Sequence, residues 1–197
     1  MNVIFAANHH RRSLYFEDTI KLFSGHQVVI QETGNHSIWG DFGIKSDNIR
    51  FIDNNQQITY DASMVNFKKI LSEMQWDLVV LLDNDLFMTG TDYFYQTITD
   101  FEDGNYDFCS YFENGSEGDY EFNSTIAHVN NQSFKDVPEF PGYKPVPHWE
   151  NAYMYLTRDL YQKLSEDDLS NSRKMISAIS NMGANMGTKK RECRSTY

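Results

Sequence analysis

Cysteine is scarce in this sequence, since Cys109 and Cys193 are the only two among 197 residues. Two cysteines cannot build a disulfide framework or a four-cysteine zinc site. We therefore expect a chain that folds around an apolar core in the reducing cytoplasm. Proline is confined to residues 138–147, where regular secondary structure is not expected.

Positive charge and long apolar runs are also scarce. The 17 Lys and Arg residues stand against 28 Asp and Glu residues, which gives a net charge of −11. Loose binding to nucleic acid or to anionic membranes is not expected, because phosphate neutralisation needs an excess of positive charge. No apolar run approaches the roughly 18 residues that a membrane-spanning helix needs. The first residues show a strand pattern and not that of a signal peptide.

Apolar and aromatic residues are abundant, at 40% and 15% of the chain, and indicate a single globular domain. Strand patterns occur at 2–7, 26–32, 49–53, 78–82, 106–113, 120–129 and 152–157, and amphipathic helix patterns lie between several of them. This alternation predicts an α/β fold with a mostly parallel sheet flanked by helices. We assign residues 1–187 to the domain and 188–197 to a basic tail that we expect to be mobile. The basic residues of the tail are Lys189, Lys190, Arg191 and Arg194.

The most informative stretch is the apolar run Leu78–Leu82 followed by Asp83-Asn84-Asp85. Side chains at positions i and i+2 of an extended segment point the same way, so both carboxylates can face one point. Ligands of open parallel sheets bind outside the carboxyl ends of the strands. Two close carboxylates repel each other, and a cation such as Mg²⁺ or Mn²⁺ between them satisfies both. The pattern indicates a metal–diphosphate site; the alternative is an acidic turn that closes a buried strand.

Three segments together resemble the glycosyltransferases of the GT-A fold, which are nucleotide-diphospho-sugar transferases. They are Asp83-Asn84-Asp85 after the fourth strand, the run 122–126 containing Asn123, and the run 149–156, which resembles a late strand on the acceptor side. The resemblance covers roughly residues 1–165. It implies a single-domain GT-A (Rossmann-like) fold with a mixed sheet. It also implies metal-dependent transfer of a sugar from a nucleoside-diphosphate sugar to an acceptor hydroxyl, with Mn²⁺ or Mg²⁺ as cofactor.

The resemblance also implies roles for individual residues. Asp85 is the firmer metal ligand and Asp83 contacts the metal and the ribose, while His148 is the candidate third ligand. Glu150 matches the acidic position of inverting relatives and is the candidate general base. The further candidate contacts to the donor or its nucleotide are Ala7, Asn8, Arg11, Arg12, Asn84, Asn123 and Trp149.

The chain departs from the family pattern in two respects. It has little room for an acceptor domain, and the late metal-binding His motif of some families has no clean counterpart. The acceptor, the stereochemistry and the oligomeric state are therefore left open. A UDP-sugar is the expected donor. A glycan, a small molecule or a hydroxylated DNA base is the candidate acceptor, although the net charge argues against DNA.

Three alternatives are retained. A phosphohydrolase of the haloacid-dehalogenase type also places an Asp-x-Asp motif after an apolar strand, and Asp167-Asp168 could supply its later acidic pair. A nucleotidyltransferase shares the metal and the nucleotide, but normally has a Gly-rich loop after its first strand, and no glycine precedes Gly25. A non-catalytic module that binds a nucleotide sugar or a metal is the third alternative.

Overall fold

The computed structural model describes residues 1–9, 20–33, 47–54, 57–82, 86–88, 92–112, 153–170, 172–190 and 193–195. Within these ranges the chain forms nine strands and five helices. The strands are β1 (Val3–His9), β2 (Gln27–Glu32), β3 (Ile49–Asp53), β4 (Leu78–Leu82), β5 (Leu86–Met88), β6 (Phe108–Phe112), β7 (Tyr153–Thr157), β8 (Met186–Lys190) and β9 (Cys193–Ser195). The helices are α1 (Tyr60–Ser72), α2 (Asp92–Glu102), α3 (Arg158–Lys163), α4 (Glu166–Leu169) and α5 (Ser172–Asn181).

Seven strands form one sheet in the order β3-β2-β1-β4-β7-β6-β8, and β5 pairs with β9 in a separate two-stranded sheet. β7 is antiparallel to its neighbours β4 and β6. All other pairs in the large sheet are parallel. Six strands therefore run in one direction and end at the same edge, which we call the carboxyl edge. The predicted mixed, mostly parallel sheet is confirmed.

Both faces of the large sheet are covered, because alternate residues of each central strand point to opposite sides. In β1, Phe5 belongs to one apolar cluster, and its neighbours Ile4 and Ala6 belong to the other. α2 and residues 20–23 cover the first face, whereas α1, α3 and α5 cover the second. Burial on both faces explains why β4 is a continuous aliphatic run, with all five residues buried.

The C-terminal residues differ from the sequence-based prediction. β8 is an edge strand, with Lys189 opposite Tyr111 and Lys190 opposite Phe112 of β6, and β9 pairs with β5. Residues 188–190 and 193–195 of the predicted tail therefore form strands, while its mobility and the domain boundary at residue 187 stay predictions. Backbone pairing holds these segments, although their sequence carries little of the β-branched and aromatic signal that marks strands.

None of the helices in the described part of the chain has both the length and the apolar character that a membrane crossing requires.

Candidate functional site

Three strands bring the predicted site segments together at the carboxyl edge. Ala7 of β1 lies opposite Leu82 of β4, and Leu82 lies opposite Tyr153 of β7. Because β7 is antiparallel, it begins where β1 and β4 end. Neighbouring strands are about 4.8 Å apart, so the three residues form a row that crosses the middle of the sheet at this edge.

The tripeptide Asp83-Asn84-Asp85 lies outside the described residues. Covalent connectivity still limits its position, because consecutive Cα atoms are about 3.8 Å apart. Asp83 directly follows Leu82 at the end of β4, and Asp85 directly precedes Leu86 at the start of β5. The acid pair is therefore tied at one end to the large sheet and at the other end to the small sheet.

The remaining predicted site residues outside the described ranges are Arg11, Arg12, Asn123, His148, Trp149 and Glu150. Arg12 follows the last residue of β1 by three positions, and Glu150 precedes the first residue of β7 by three positions. The two residues are therefore close in sequence to strand ends at the carboxyl edge. The roles of these residues, and of the acid tripeptide, stay predictions.

A buried acid–histidine pair lies at the carboxyl edge, at the ends of β1 and β2. His9 at the end of β1 and Glu32 at the end of β2 lie opposite each other in register. Nδ1 of His9 is 2.8 Å from Oε2 of Glu32, and the two side chains are 1% and 2% exposed. Pairing of this kind compensates for the removal of a carboxylate from water, which is costly for an isolated charge.

Hydrogen bonds from the segments that follow β2 and β3 reinforce the same edge. The backbone N–H and the Oγ1 hydroxyl of Thr33 both donate to the carbonyl of His9, at 2.7 and 3.1 Å. Nδ2 of Asn54 donates to the carbonyl of Glu32 at 2.8 Å, and the N–H of Ile58 donates to the carbonyl of Thr33 at 3.1 Å. The ends of β1, β2 and β3 are therefore connected to one another by hydrogen bonds beyond the sheet ladder.

Two buried amides lie beside this pair, on the face covered by α1. Asn8 and Gln31 are opposite each other in register, and Nε2 of Gln31 donates to the carbonyl of Ser63 in α1 at 3.1 Å. The side-chain oxygens Oδ1 of Asn8 and Oε1 of Gln31 are buried and have no hydrogen-bond partner among the described residues. A buried acceptor without a partner costs about 1–3 kcal/mol. Such acceptors are suited to a ligand N–H or to water.

No group of three His, Cys, Asp or Glu side chains within the described ranges is placed to hold a metal ion. The candidate metal ligands Asp83, Asp85 and His148 all lie outside those ranges. Their role as metal ligands therefore stays a prediction.

The second acidic pair, Asp167 and Asp168, lies towards the opposite edge of the sheet. Its helix α4 contacts the last turn of α1, where Lys69 is 4.0 Å from Glu166, and α1 leads into the start of β4. The carboxylate of Asp168 accepts hydrogen bonds from the backbone N–H and the hydroxyl of Ser165, which lower the pKa of Asp168. Asp167 is 2.6 Å from Nζ of Lys174. Asp168 therefore caps the short helix α4, and Asp167 pairs with Lys174 of α5.

The sequence pattern predicted a first strand that ends at Ala7, and Asn8 alone of the buried polar residues described at this edge was among the predicted site residues. His9, Gln31 and Glu32 are all within strands and almost inaccessible. A signal was present in the second strand, where Gln31 and Glu32 directly follow a buried aliphatic run. A charged residue at the end of a strand that is covered on both faces needs a buried partner.

No protein-family model matches the sequence, and no curated protein sequence matches it. Solved structures match at the level of the fold. Glucosyl-3-phosphoglycerate synthase from Mycobacterium tuberculosis, solved with Mn²⁺, UDP and phosphoglyceric acid, is 11% identical with a TM-score of 0.69. The match covers 100% of this chain and 71% of that one.

Two further solved structures are also similar in fold and low in sequence identity. A mannosyltransferase from Pyrobaculum calidifontis, in complex with GDP-Man and Mn²⁺, is 10% identical with a TM-score of 0.65, over 98% of this chain and 56% of that one. A CMP:2-keto-3-deoxy-manno-octonic acid synthetase complexed with CTP is 12% identical with a TM-score of 0.54, over 97% and 90%. This chain thus spans little more than half the length of the mannosyltransferase. The chain has the GT-A-type fold of the nucleotide-sugar transferases.

Proposed function

We propose that this chain is a metal-dependent glycosyltransferase that moves a sugar from a nucleoside-diphosphate sugar to an acceptor hydroxyl. The observation that supports the proposal is that β4 ends at the carboxyl edge of the sheet with Leu82, the residue that precedes Asp83-Asn84-Asp85 in the sequence. Open, mainly parallel α/β sheets bind their ligands outside this edge. Two solved structures with the same fold contain Mn²⁺ together with UDP or GDP-Man.

The proposed ligands fit a hard divalent cation. Asp85 and Asp83 would hold Mn²⁺ or Mg²⁺, with His148 as the proposed third ligand. Carboxylate oxygens are the ligands that these ions prefer, and both ions leave positions for phosphate oxygens. When bound, the ion supplies Lewis-acid neutralisation of the charge that develops on the diphosphate.

The end of β1 is the proposed contact for the nucleotide. Asn8 is 4% exposed, and its Oδ1 atom has no partner among the described residues. A donor N–H of a nucleobase would satisfy that acceptor. Arg11 and Arg12 are the proposed contacts to phosphate oxygens, because a guanidinium group can bind two oxygens at once. We take UDP-sugars as the first donors to test.

The transfer step itself exchanges one bond for another at the anomeric carbon. The acceptor hydroxyl oxygen bonds to this carbon while the bond between the carbon and the diphosphate oxygen breaks. In an inverting reaction Glu150 accepts the proton of the acceptor hydroxyl, and the nucleoside diphosphate leaves with the bonding electron pair. Asn123 and Trp149 are proposed to contact the sugar, by hydrogen bonding and by stacking.

The two alternative enzymatic functions have different support. A phosphohydrolase with two acidic pairs at one metal is disfavoured, because Asp168 caps α4 and Asp167 pairs with Lys174, towards the opposite edge of the sheet. A nucleotidyltransferase keeps support from the CTP-bound synthetase of the same fold. It would use the same acid pair, but its substrates would be a nucleoside triphosphate and a sugar or sugar phosphate.

The decisive experiment is a panel of nucleotide sugars with Mn²⁺, scored for nucleoside diphosphate release with and without EDTA. We expect release from at least one donor, and its loss when EDTA removes the metal. Parallel reactions with nucleoside triphosphates and sugar phosphates detect pyrophosphate, and an aryl phosphate detects phosphohydrolase activity. Pyrophosphate without diphosphate release would replace the proposal with nucleotidyl transfer. If none of these reactions shows turnover, the remaining candidate is a non-catalytic module that binds a nucleotide sugar or a metal.

Two variants with the same loss of one charge separate a site effect from a general electrostatic effect. Asp85→Asn removes a proposed metal ligand, whereas Asp167→Asn removes an exposed carboxylate whose partner Lys174 is also exposed. We expect Asp85→Asn to lose turnover and metal affinity, and Asp167→Asn to keep both. Equal behaviour of the two variants would contradict the metal role of Asp85.

A further inference from the structure

Two buried amide side chains lie next to each other on the face of the sheet that α1 covers. Asn8 of β1 and Gln31 of β2 are opposite each other in register, so both side chains point to this face. Asn8 is 4% exposed and Gln31 is 0% exposed. Nε2 of Gln31 donates to the carbonyl of Ser63 in α1 at 3.1 Å, which fixes this amide. Oδ1 of Asn8 and Oε1 of Gln31 are left without a hydrogen-bond partner among the described residues.

The surroundings of the two oxygens favour a neutral ligand. Ala6 and Val29 precede the two amides by two positions on the same face, and both belong to the apolar cluster beneath α1. His9 and Glu32 come one position later in each strand, so they point to the opposite face. The one acidic side chain of β1 and β2 is therefore on the other side of the sheet. A cation at the amides would lack this charge compensation, which makes its burial costly.

The ligand must also be small and must donate two hydrogen bonds. Gln31 is fully buried and held by Ser63, so only a small molecule fits beside its oxygen. Water meets both conditions, because a buried water molecule typically bonds to about two to four otherwise unpaired polar groups. A water molecule that donates to two oxygens at about 2.8 Å each spans roughly 4.5 Å between them. This span is close to the separation of about 4.8 Å between neighbouring strands.

We propose that Asn8 and Gln31 bind one buried water molecule, which donates a hydrogen bond to each of their side-chain oxygens. Through this water Gln31 is a positioning residue for Asn8, because it fixes the amide beside the nucleotide. The water site stands on the described side chains alone, whereas the positioning role rests on the proposed function, in which Asn8 contacts the nucleotide. An amide oxygen has two lone pairs, so Oδ1 of Asn8 accepts from the water and from a base N–H together.

A crystal structure of the wild-type chain without nucleotide, at a resolution that shows ordered water, tests the site directly. We expect a water molecule at about 2.5–3.0 Å from both amide oxygens. A second crystal grown in rubidium chloride separates water from a monovalent cation, because rubidium gives an anomalous signal. An anomalous peak between the amides, or the absence of density there, would overturn the water site. So would amide oxygens that both accept from protein donors.

The variant Gln31→Met tests whether the water depends on both amides. It replaces the amide by an apolar group of similar length and leaves Asn8 as the only acceptor of the two, so we expect the water peak to disappear. Gln27→Met is the matched control. Gln27 is exposed at the start of the same strand, opposite Ile4 and on the same face. Crystals of this control should keep the water, and a water that persists in Gln31→Met would contradict the bridge.

The positioning role is measured as the Kd of UDP and GDP with Mn²⁺ by calorimetry, at a temperature at which circular dichroism shows each variant to be folded. We expect Gln31→Met to raise Kd roughly threefold to tenfold, the range for ordering one side chain on binding. Gln27→Met should stay within about twofold of wild type. Gln31→Glu keeps an acceptor for the water and, when protonated, a donor for the carbonyl of Ser63, so it should recover part of the affinity. If Gln31→Met does not fold, Gln31→Val takes its place, because a β-branched residue suits a buried strand.

The outcomes separate this inference from the proposed function. If wild-type protein binds neither nucleotide with Mn²⁺, the proposed function fails and the positioning role falls with it, while the wild-type crystal still decides the water site. If wild type binds a nucleotide and Gln31→Met binds it equally well, only the positioning role is overturned. If the wild-type crystal shows no water between the amides, the whole inference is overturned, whatever the Kd values are.

Discussion

The buried pair His9–Glu32 allows a sharp prediction about stability at the carboxyl edge. The two side chains are 1% and 2% exposed, and Nδ1 of His9 is 2.8 Å from Oε2 of Glu32. Removal of one side chain takes this contact away from a group that stays buried. For buried pairs this costs about 3–5 kcal/mol, so we expect Glu32→Ala to lose about that much free energy of unfolding. Glu32→Gln keeps the size and one acceptor, and we expect a loss of about 1–3 kcal/mol.

The assay is urea unfolding followed by far-UV circular dichroism and by tryptophan fluorescence. Trp76 is a core reporter, because it is 2% exposed and its Nε1 donates to the carbonyl of Leu71 at 2.9 Å. For a domain of this size each kcal/mol corresponds to about 2–4 °C in Tm. Glu32→Ala should therefore melt roughly 6–20 °C below wild type.

A double-mutant cycle with His9→Gln isolates the pair from the further contacts of each residue. Coupling between contacting residues is about 0.5–3 kcal/mol, and we expect the upper half of that range here because both groups are buried. A loss of less than about 1 kcal/mol for Glu32→Ala would refute the reasoning. So would two single losses that simply add in the double variant.

Three further predictions concern other parts of the chain. Asp85→Ala should abolish nucleoside diphosphate release while its melting curve stays close to that of wild type; retained release would remove the metal role, and an unfolded variant would show a structural role instead. Hydrogen bonds from Ser165 lower the pKa of Asp168 from 3.8, so this group contributes stability above pH 3.8 that is lost as the pH falls. Ser165→Ala should therefore lower the free energy of unfolding by about 0.5–2 kcal/mol at pH 7. Because the variant lacks these hydrogen bonds, its free energy of unfolding should fall less than that of wild type when the pH is lowered below 3.8, as measured by urea unfolding at pH 7 and in acid. An equal fall in the two proteins would contradict this. Burial lowers the pKa of His26 from 6.5, so the unfolded chain binds more protons and stability falls as the pH drops below 6.5. His26→Gln should reduce that fall in Tm between pH 6.5 and 5, and an unchanged pH dependence would show that other groups cause it.

The strands and the amphipathic helices could be predicted because their signals are local. The aliphatic run of β4 indicated burial on both faces, and the cluster of α1 residues at helical spacing indicated one apolar face; both features are present in the structure. The acid tripeptide was also visible, since a charged turn after a buried strand needs no knowledge of distant residues. The predicted α/β fold with a mostly parallel sheet follows from the order of these signals, whereas the mixed sheet was implied by the resemblance to the GT-A fold.

The contacts that complete the edge of the sheet could not be predicted, because they join residues that are distant in sequence. His9 and Glu32 are separated by 23 positions. The local sequence around either residue does not indicate the other as its partner.

The amino-acid sequence by itself determined which segments are buried, which are amphipathic and where two carboxylates follow an aliphatic strand, because periodicity and burial act over a few residues. Only the tertiary structure decided that β7 runs against its neighbours, that His9 meets Glu32, and that β9 returns to the strand after Asp85. Each of these depends on the order of strands in the sheet. Backbone hydrogen bonds are the same for every residue type, so the partner of a strand is selected by the closure of the whole fold and not by its own side chains.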